Sequence, residues 1–202
     1  MRLLEAVKIQ TRTWHNQMEA LAFSDKIAAG TLHLNEYQTL ILAHYVFHKK
    51  YEKYLAAIPS LVANETLNLE NRLKEKALFM DLKALNLENQ VFDFTADFVP
   101  QTLEEGLGCL YVTEGSTLGG NVIRKKLDKM PAISEQTAMH YYGYYGNEVG
   151  LKWKQYRQVA EQVVIGEQQK QDFFRAASAT FKAYAACMQQ SIDMRYTPKA
   201  QK

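Results

Sequence analysis

The spacing of apolar and polar residues predicts helices along the whole chain. In the first segment, residues 2 to about 21, the apolar positions follow helical spacing: Leu3, Leu4, Val7, Trp14, Met18 and Leu21. Polar residues between them leave one polar face, which is typical of an amphipathic helix. A short connector is predicted at about 24–31. No stretch alternates with a period of two residues, and no internal repeat is evident.

Capping residues and helix breakers predict where the next helices begin and end. Asn35 and Gln38 have the spacing of an N-cap and its reciprocal partner, and they precede a strongly apolar helix. Pro59 marks the end of that helix, because proline cannot continue it. A third helix is predicted at about 69–85.

The second half of the chain shows the same kind of pattern. Thr102 and Glu105 form a capping box that opens a long helical segment running to about residue 130. Two final helices are predicted at about 148–164 and 167–193. Together these elements predict an all-α fold, with six or more helices packed as one bundle-like domain.

Length and composition support a single domain. The chain has 202 residues, of which 47% are hydrophobic and 23% are charged, as in globular proteins with a full core. We predict one domain over 1–202, with its core at about 3–193 and a flexible C-terminal tail at about 194–202. Cys109 and Cys187 lie far apart in sequence and are predicted to be buried, reduced thiols.

The charge pattern narrows the classes of partner. The 24 basic and 22 acidic residues are interspersed and leave a formal net charge of +2, which does not indicate a nucleic-acid or membrane partner. No apolar run approaches the ~18 to 20 residues of a membrane span. The N-terminal residues run directly into a helix without a signal-peptide core, so the predicted location is cytoplasmic.

One helical segment contains an unusual number of glycines. They are Gly106, Gly108, Gly115, Gly119 and Gly120. Each glycine inside a helix costs about 1 kcal/mol relative to alanine, so the cluster requires a reason. Close packing between helices is one explanation. The other is a flat ligand that lies against main chain left uncovered by side chains.

The first helix carries a group of residues suited to an iron porphyrin. Glu19 follows His15 by four residues and can accept a proton from one imidazole nitrogen, which leaves the other nitrogen free for a metal. Lys8 and Arg12 share that face and suit carboxylates. The alternative is that His15 and Glu19 are an ordinary electrostatic pair on a helix surface.

Three stretches of this sequence resemble a known family. Tyr111–Gly120, with His15 and Glu19 upstream, resembles the distal helix of bacterial biliverdin-forming heme oxygenases. Tyr45–His48 resembles a helix of the same family, and Gly150–Tyr156 resembles its Gly-x-x-Trp-Lys/Arg-x-aromatic segment. The resemblance extends from about residue 3 to 185.

The resemblance implies roles for individual residues. His15 resembles the proximal ligand of the heme iron, and Glu19 resembles the residue that hydrogen-bonds it. The residues that match positions near the heme propionates are Lys8, Arg12, Lys154 and Arg157. Those that resemble the distal residues packed over the porphyrin are Gly115, Gly119 and Gly120. Many members have an aspartate after the first distal glycine; here that residue is Ser116, as in related bacterial members.

The resemblance also implies an activity. Heme would be both cofactor and substrate, and would be cleaved with O2 to biliverdin, carbon monoxide and ferrous iron. The electrons would come from a separate reductase or ferredoxin, because the chain lacks a flavin or nicotinamide fingerprint such as GxGxxG. The alternatives are a non-catalytic heme-binding or heme-delivery protein, and a heme-free enzyme such as a thiaminase-like hydrolase. The latter would require a catalytic cysteine or an acidic cluster.

The remaining histidines and aromatic residues are predicted to be structural. We expect His44, His48 and His140 to be core-edge or surface residues, because no second metal-ligand motif accompanies them. The tyrosines at 141–145 are predicted to pack in the core rather than to form a ligand wall. Core packing is also predicted for three phenylalanines: Phe173, Phe174 and Phe181.

Overall fold

The computed structural model describes residues 2–196, and within them the fold is all-α, as predicted. These residues contain no strand. The α-helices are α1 (Leu3–Gln10), α2 (Arg12–Leu21), α3 (Ser24–Ala29), α4 (Leu34–Ala56), α5 (Pro59–Val62), α6 (Glu75–Ala84), α7 (Leu103–Gly115), α8 (Gly120–Leu127), α9 (Pro131–Ser134), α10 (Val149–Val163) and α11 (Glu167–Tyr196). Short 3₁₀ turns lie at Leu69–Arg72, Glu88–Gln90, Ser116–Gly119 and Gly146–Glu148.

The first predicted helix is in fact two helices that meet at Thr11. The Thr11 hydroxyl donates a hydrogen bond to the Val7 carbonyl oxygen at 2.7 Å, and bonds of this kind bend helices. Thr11 is buried, so this break lies inside the fold. The bend separates α1 from α2, which carries His15.

The start of α4 was predicted two residues too late. The cap residue is His33, whose backbone N–H donates to the Glu36 carboxylate at 3.0 Å. Asn35 lies inside the helix, and its side-chain oxygen accepts a hydrogen bond from the Glu36 N–H at 3.0 Å. The helix ends at Ala56, and Pro59 begins α5 instead of closing α4.

The third predicted helix is interrupted, and the predicted connector at 24–31 contains the short helix α3. A 3₁₀ turn ends at Arg72, the backbone is extended at Leu73, and α6 begins at Glu75. The side chains of Arg72 and Lys74 are fully buried and bonded to α7, which explains why the helix breaks between them.

The C-terminal helix is the centre of the bundle. α11 packs against α7, α4 and α2, so the two helices with candidate site residues share one support. Residues 194–196, predicted as part of a flexible tail, belong to α11, and Arg195 donates to the side-chain oxygens of Gln38 and Gln90 at 2.7 Å. The rest of that predicted tail, 197–202, lies outside the described residues.

Over residues 2–196, none of the helices has the length and apolarity that crossing a membrane requires. The predicted cytoplasmic location stays a prediction. Cys109 and Cys187 are free and buried, as predicted, and burial raises the pKa of each thiol to about 12.

Candidate functional site

His15 lies on α2 with its imidazole half exposed. Its Nδ1 is 3.5 Å from the Glu19 carboxylate, and the two side chains are 53% and 58% exposed. This geometry allows Nδ1–H to point toward Glu19 and leaves Nε2 free for a metal. Beside it lies the Phe181 ring of α11, whose centroid is 5.9 Å from that of His15.

A contact between α7 and the start of α2 brings the two candidate helix segments together. Tyr111 of α7 lies beside Thr11, and its ring centroid is 6.4 Å from that of Phe181. His15 follows Thr11 by one helical turn, and Gly115 follows Tyr111 by one turn. We therefore take the region between these two helix segments as the candidate site and refer to it below as the cleft.

The glycines of α7 and of the 3₁₀ turn that follows it divide into two groups with different surroundings. A Cβ added at Gly115 would meet nothing within 4 Å, and one added at Gly119 would meet only Ile123, at 3.9 Å. A Cβ at Gly108 would instead collide with the backbone of α11 at Phe173. Helix packing therefore explains Gly108, whereas the main chain at Gly115 and Gly119 is uncovered, as the second explanation requires; the flat ligand itself stays a prediction.

The open glycines coincide with a change of helix type. α7 ends at Gly115, Ser116–Gly119 form a 3₁₀ turn, and α8 begins at Gly120. Gly120 is closely packed, because an added Cβ would lie 3.0 Å from the Tyr142 carbonyl oxygen. The helical segment predicted to run to about residue 130 is therefore interrupted by this turn. Ser116 donates its hydroxyl to the Thr113 carbonyl oxygen at 2.9 Å.

Three of the tyrosines at 141–145 are buried, as predicted: Tyr141, Tyr142 and Tyr145. Together with Tyr144 they also form a wall beside this turn, which the sequence did not predict. A crevice of about 10 Å³ separates them from Ser116 and Gly120. Its lining residues are Ser116, Thr117, Gly120, Tyr141, Tyr142, Tyr144, Tyr145 and Val149. Aromatic composition could not reveal this role, because the wall depends on how the loop before α10 folds back.

His44 and His48 are buried behind the tyrosine wall, so the prediction of core-edge or surface positions was wrong. The His44 nitrogens contact the hydroxyls of Tyr184 and, at 3.3 Å, Tyr142. His48 Nδ1 is 2.9 Å from the Glu52 carboxylate. Burial lowers the pKa of His44 to about 3 and also lowers that of His48, so both are neutral at neutral pH.

A buried ion cluster anchors α7 immediately before its open glycines. Glu114 is 1% exposed, and its carboxylate accepts from Arg72, from Lys74 at 2.6 Å and from the Tyr145 hydroxyl at 2.8 Å. Burial alone would raise the Glu114 pKa, but the two cations outweigh it and hold that pKa below its usual value. Sequence reasoning missed this cluster. A carboxylate in an apolar helical stretch was the available signal.

The four cations predicted for propionates are all exposed. Lys8 and Arg12 lie within one turn of Thr11, at the end of the cleft that Tyr111 closes. On the other side of Tyr111, the Trp153 ring of α10 lies 6.3 Å away. Lys154 and Arg157 lie within a turn of Trp153, so both pairs belong to helices that flank Tyr111.

A wider groove of about 560 Å³ lies on the other side of α2. Trp14, the segment 94–98 and α11 line it, whereas His15 and the glycines of α7 do not. Its lining residues include no histidine, cysteine, methionine or tyrosine that could bind a heme iron, so we do not regard it as the candidate heme site.

The model of the heme oxygenase family matches residues 1–190. The chain belongs to the heme oxygenase family. A heme oxygenase from Xanthomonas campestris pv. campestris (strain 8004) is 34% identical over 82 residues, which is 40% of this chain and 48% of that protein. The chain thus matches about half the length of this curated relative.

Solved heme oxygenases share the fold. The NO- and CO-bound enzyme of Neisseria meningitidis is 17% identical, with a TM-score of 0.72, covering 100% of this chain and 98% of its own. The Leptospira interrogans enzyme is 16% identical, with a TM-score of 0.66 and coverages of 94% and 100%. The heme complex of heme oxygenase-1 from the cyanobacterium Synechocystis is 14% identical, with a TM-score of 0.66 and coverages of 94% and 92%.

Proposed function

We propose that this protein is a heme oxygenase that cleaves heme to biliverdin, carbon monoxide and ferrous iron. The observation that carries the proposal is the pairing of an exposed histidine with uncovered helix backbone. His15 has a free imidazole nitrogen, and the positions beside Gly115 and Gly119 are empty where any other residue would place a side chain. A flat molecule with a central metal would bind with its metal on the histidine and its face against the uncovered backbone.

On the proximal side, His15 would hold the iron and Glu19 would orient the ring. A neutral imidazole is the required ligand form, and a carboxylate near Nδ1 favours the tautomer that presents Nε2. On the distal side, Gly115 and Gly119 let the porphyrin approach the main chain.

The heme carboxylates require cations at one edge of the cleft. Lys8, Arg12, Lys154 and Arg157 lie on the helices that flank Tyr111, and we assign the propionates to that end. Each exposed cation binds a carboxylate only weakly. The four cations would therefore orient the ring rather than supply most of the heme affinity.

Bound heme supplies an iron that activates oxygen and a ring carbon that becomes oxidised. The protein binds the ring, orients it and controls hydrogen bonding on the distal side. O2 and an external reductase or ferredoxin belong to this proposal as co-substrate and electron donor. A heme-delivery protein remains the alternative function, and turnover separates the two.

Replacement of His15 tests the assignment. In His15→Ala we expect the absorption spectrum of the heme complex to change with the lost ligand, and heme affinity to fall by at least about tenfold. Asn16→Ala is the matched control, since Asn16 is also exposed on α2. An unchanged heme spectrum in His15→Ala would refute the ligand assignment.

A further inference from the structure

A buried carboxylate holds the loop that carries the tyrosine wall. Asp81 of α6 is 0% exposed and accepts three hydrogen bonds: from the Thr137 hydroxyl at 2.8 Å, the His140 N–H at 2.8 Å and the Tyr141 N–H at 2.9 Å. Between these donors, Met139 has a φ of 52°, which side-chain-bearing residues rarely adopt. Asp81 therefore fixes the position from which Tyr141 extends.

A second buried carboxylate, that of Glu52, is linked through His48 to the hydroxyl of Tyr141. The Tyr141 hydroxyl is 3.5 Å from His48 Nε2, and His48 Nδ1 is 2.9 Å from Glu52. The Glu52 carboxylate also accepts the backbone N–H groups of Lys74, at 2.6 Å, and Glu75, at 3.1 Å. Burial alone would raise the Glu52 pKa, but these hydrogen bonds outweigh it and keep that pKa below its usual value.

These contacts determine which group donates and which accepts each hydrogen bond in the series Tyr141, His48 and Glu52. An ionised carboxylate only accepts, so the neutral His48 must carry its proton on Nδ1 and donate it to Glu52. His48 Nε2 is then an acceptor, and the Tyr141 hydroxyl must donate to it. The Tyr184 hydroxyl also contacts the Tyr141 oxygen and can donate to one of its lone pairs, which leaves the other lone pair for the crevice beside Ser116.

We propose that Tyr141 orders water on the distal side of the site, in the role that an aspartate has in many relatives, and that Glu52 and Asp81 are its positioning residues. The Ser116 hydroxyl donates its proton to the Thr113 carbonyl oxygen, so it is not the donor to a water in the crevice. The crevice of about 10 Å³ has room for about one water molecule. A water that donates one proton to Tyr141 has its second proton directed away from the wall.

The neighbouring histidine has no carboxylate partner among the described residues. His44 contacts two tyrosine hydroxyls, of Tyr184 and Tyr142, and each hydroxyl can donate or accept. The carboxylate that fixes the direction of the hydrogen bonds therefore belongs to the branch through His48.

The polarity of this series, meaning which group donates each hydrogen bond, can be measured on the heme-free protein. In nitrogen-15 NMR spectra, we expect His48 to be neutral and protonated at Nδ1, with an Nε2 shift that reports a hydrogen bond. Tyr141→Phe should remove that Nε2 shift and leave the tautomer unchanged, whereas Glu52→Gln should release the tautomer. A His48 protonated at Nε2 would overturn the proposal. In Asp81→Asn, the amides of His140 and Tyr141 should exchange with solvent faster, and unchanged exchange would contradict its positioning role.

The role of Tyr141 in heme degradation rests on the proposed function, and it is tested on the heme complex. Tyr141→Phe should lower the rate of heme loss by about tenfold, the effect of one hydrogen bond, and raise the number of electrons consumed per heme. Tyr45→Phe is the control, because Tyr45 is a buried tyrosine of α4 that does not line the crevice. Equal rates and electron counts in the two variants would refute the role of Tyr141. A wild-type protein that binds heme without degrading it would instead overturn the proposed function, and the His48 tautomer would still decide the polarity.

Discussion

The two sides of the candidate site are built in different ways. The proximal side consists of exposed residues close in sequence, with His15 and Glu19 one turn apart on α2. The distal side consists of buried groups brought together from α4, α6, α7 and the loop before α10. The proposed ligand binding therefore depends on a local motif, whereas the proposed control of the distal pocket depends on the whole fold. Substitutions on the proximal side and on the distal side should therefore differ in their effect on the free energy of unfolding.

The largest effect on stability is expected at Glu114. Glu114→Ala would leave Arg72 and Lys74 as buried cations without a partner, which typically costs about 3–5 kcal/mol of unfolding free energy. The proximal counterpart, Glu19→Ala, should stay within about 0.5 kcal/mol of wild type because its pair is exposed. Denaturant unfolding measures both. Equal losses in the two variants would contradict the comparison.

Acid should weaken the distal side through its buried histidines. The folded protein keeps His44 and His48 neutral, with the His44 pKa lowered to about 3, while unfolded histidines titrate near 6.5. Below that pH the unfolded state binds more protons, so the unfolding free energy falls by up to about 1.4 kcal/mol per pH unit for each histidine. Unfolding measured between pH 6.5 and 5 should show this slope, and His44→Gln should reduce it. An identical slope in that variant would argue against a neutral, buried His44.

A small gain in stability is expected at Gly115, together with a clear loss of heme binding. Its backbone is helical, and an added methyl group meets nothing, so Gly115→Ala should raise the unfolding free energy by up to about 1 kcal/mol. Heme affinity should fall, because the methyl group occupies space proposed for the porphyrin. Gly108→Ala is the contrasting variant and should be destabilised by its collision with α11. A Gly115→Ala protein that binds heme like wild type would refute the distal assignment.

Most of the helices could be predicted from the sequence because they follow short-range rules, and the placement of His15 next to Glu19 on one helix follows the same rules. The capping box at Thr102 and Glu105 is present, with both reciprocal hydrogen bonds at 3.3 Å. The start of α4 was misplaced because two residue pairs offered the same three-residue offset. Only the fold distinguishes them, since Glu36 also binds Lys26.

The distal network could not be predicted from spacing. Glu52, Asp81 and Tyr141 have no common periodicity, and they meet only when α6 packs on α4 and the following loop folds over both. His48 next to Glu52 at i,i+4 was a visible signal, equal in form to His15 next to Glu19. Burial distinguishes the two pairs, and burial is a property of the fold.

Aerobic turnover of the heme complex tests the central proposal most directly. With a chemical or enzymatic electron source and O2, we predict loss of the Soret band, release of one carbon monoxide per heme and formation of biliverdin, all absent in His15→Ala. A stable ferrous–oxygen spectrum in the wild-type protein, with no loss of the Soret band, would contradict the assignment and favour heme delivery.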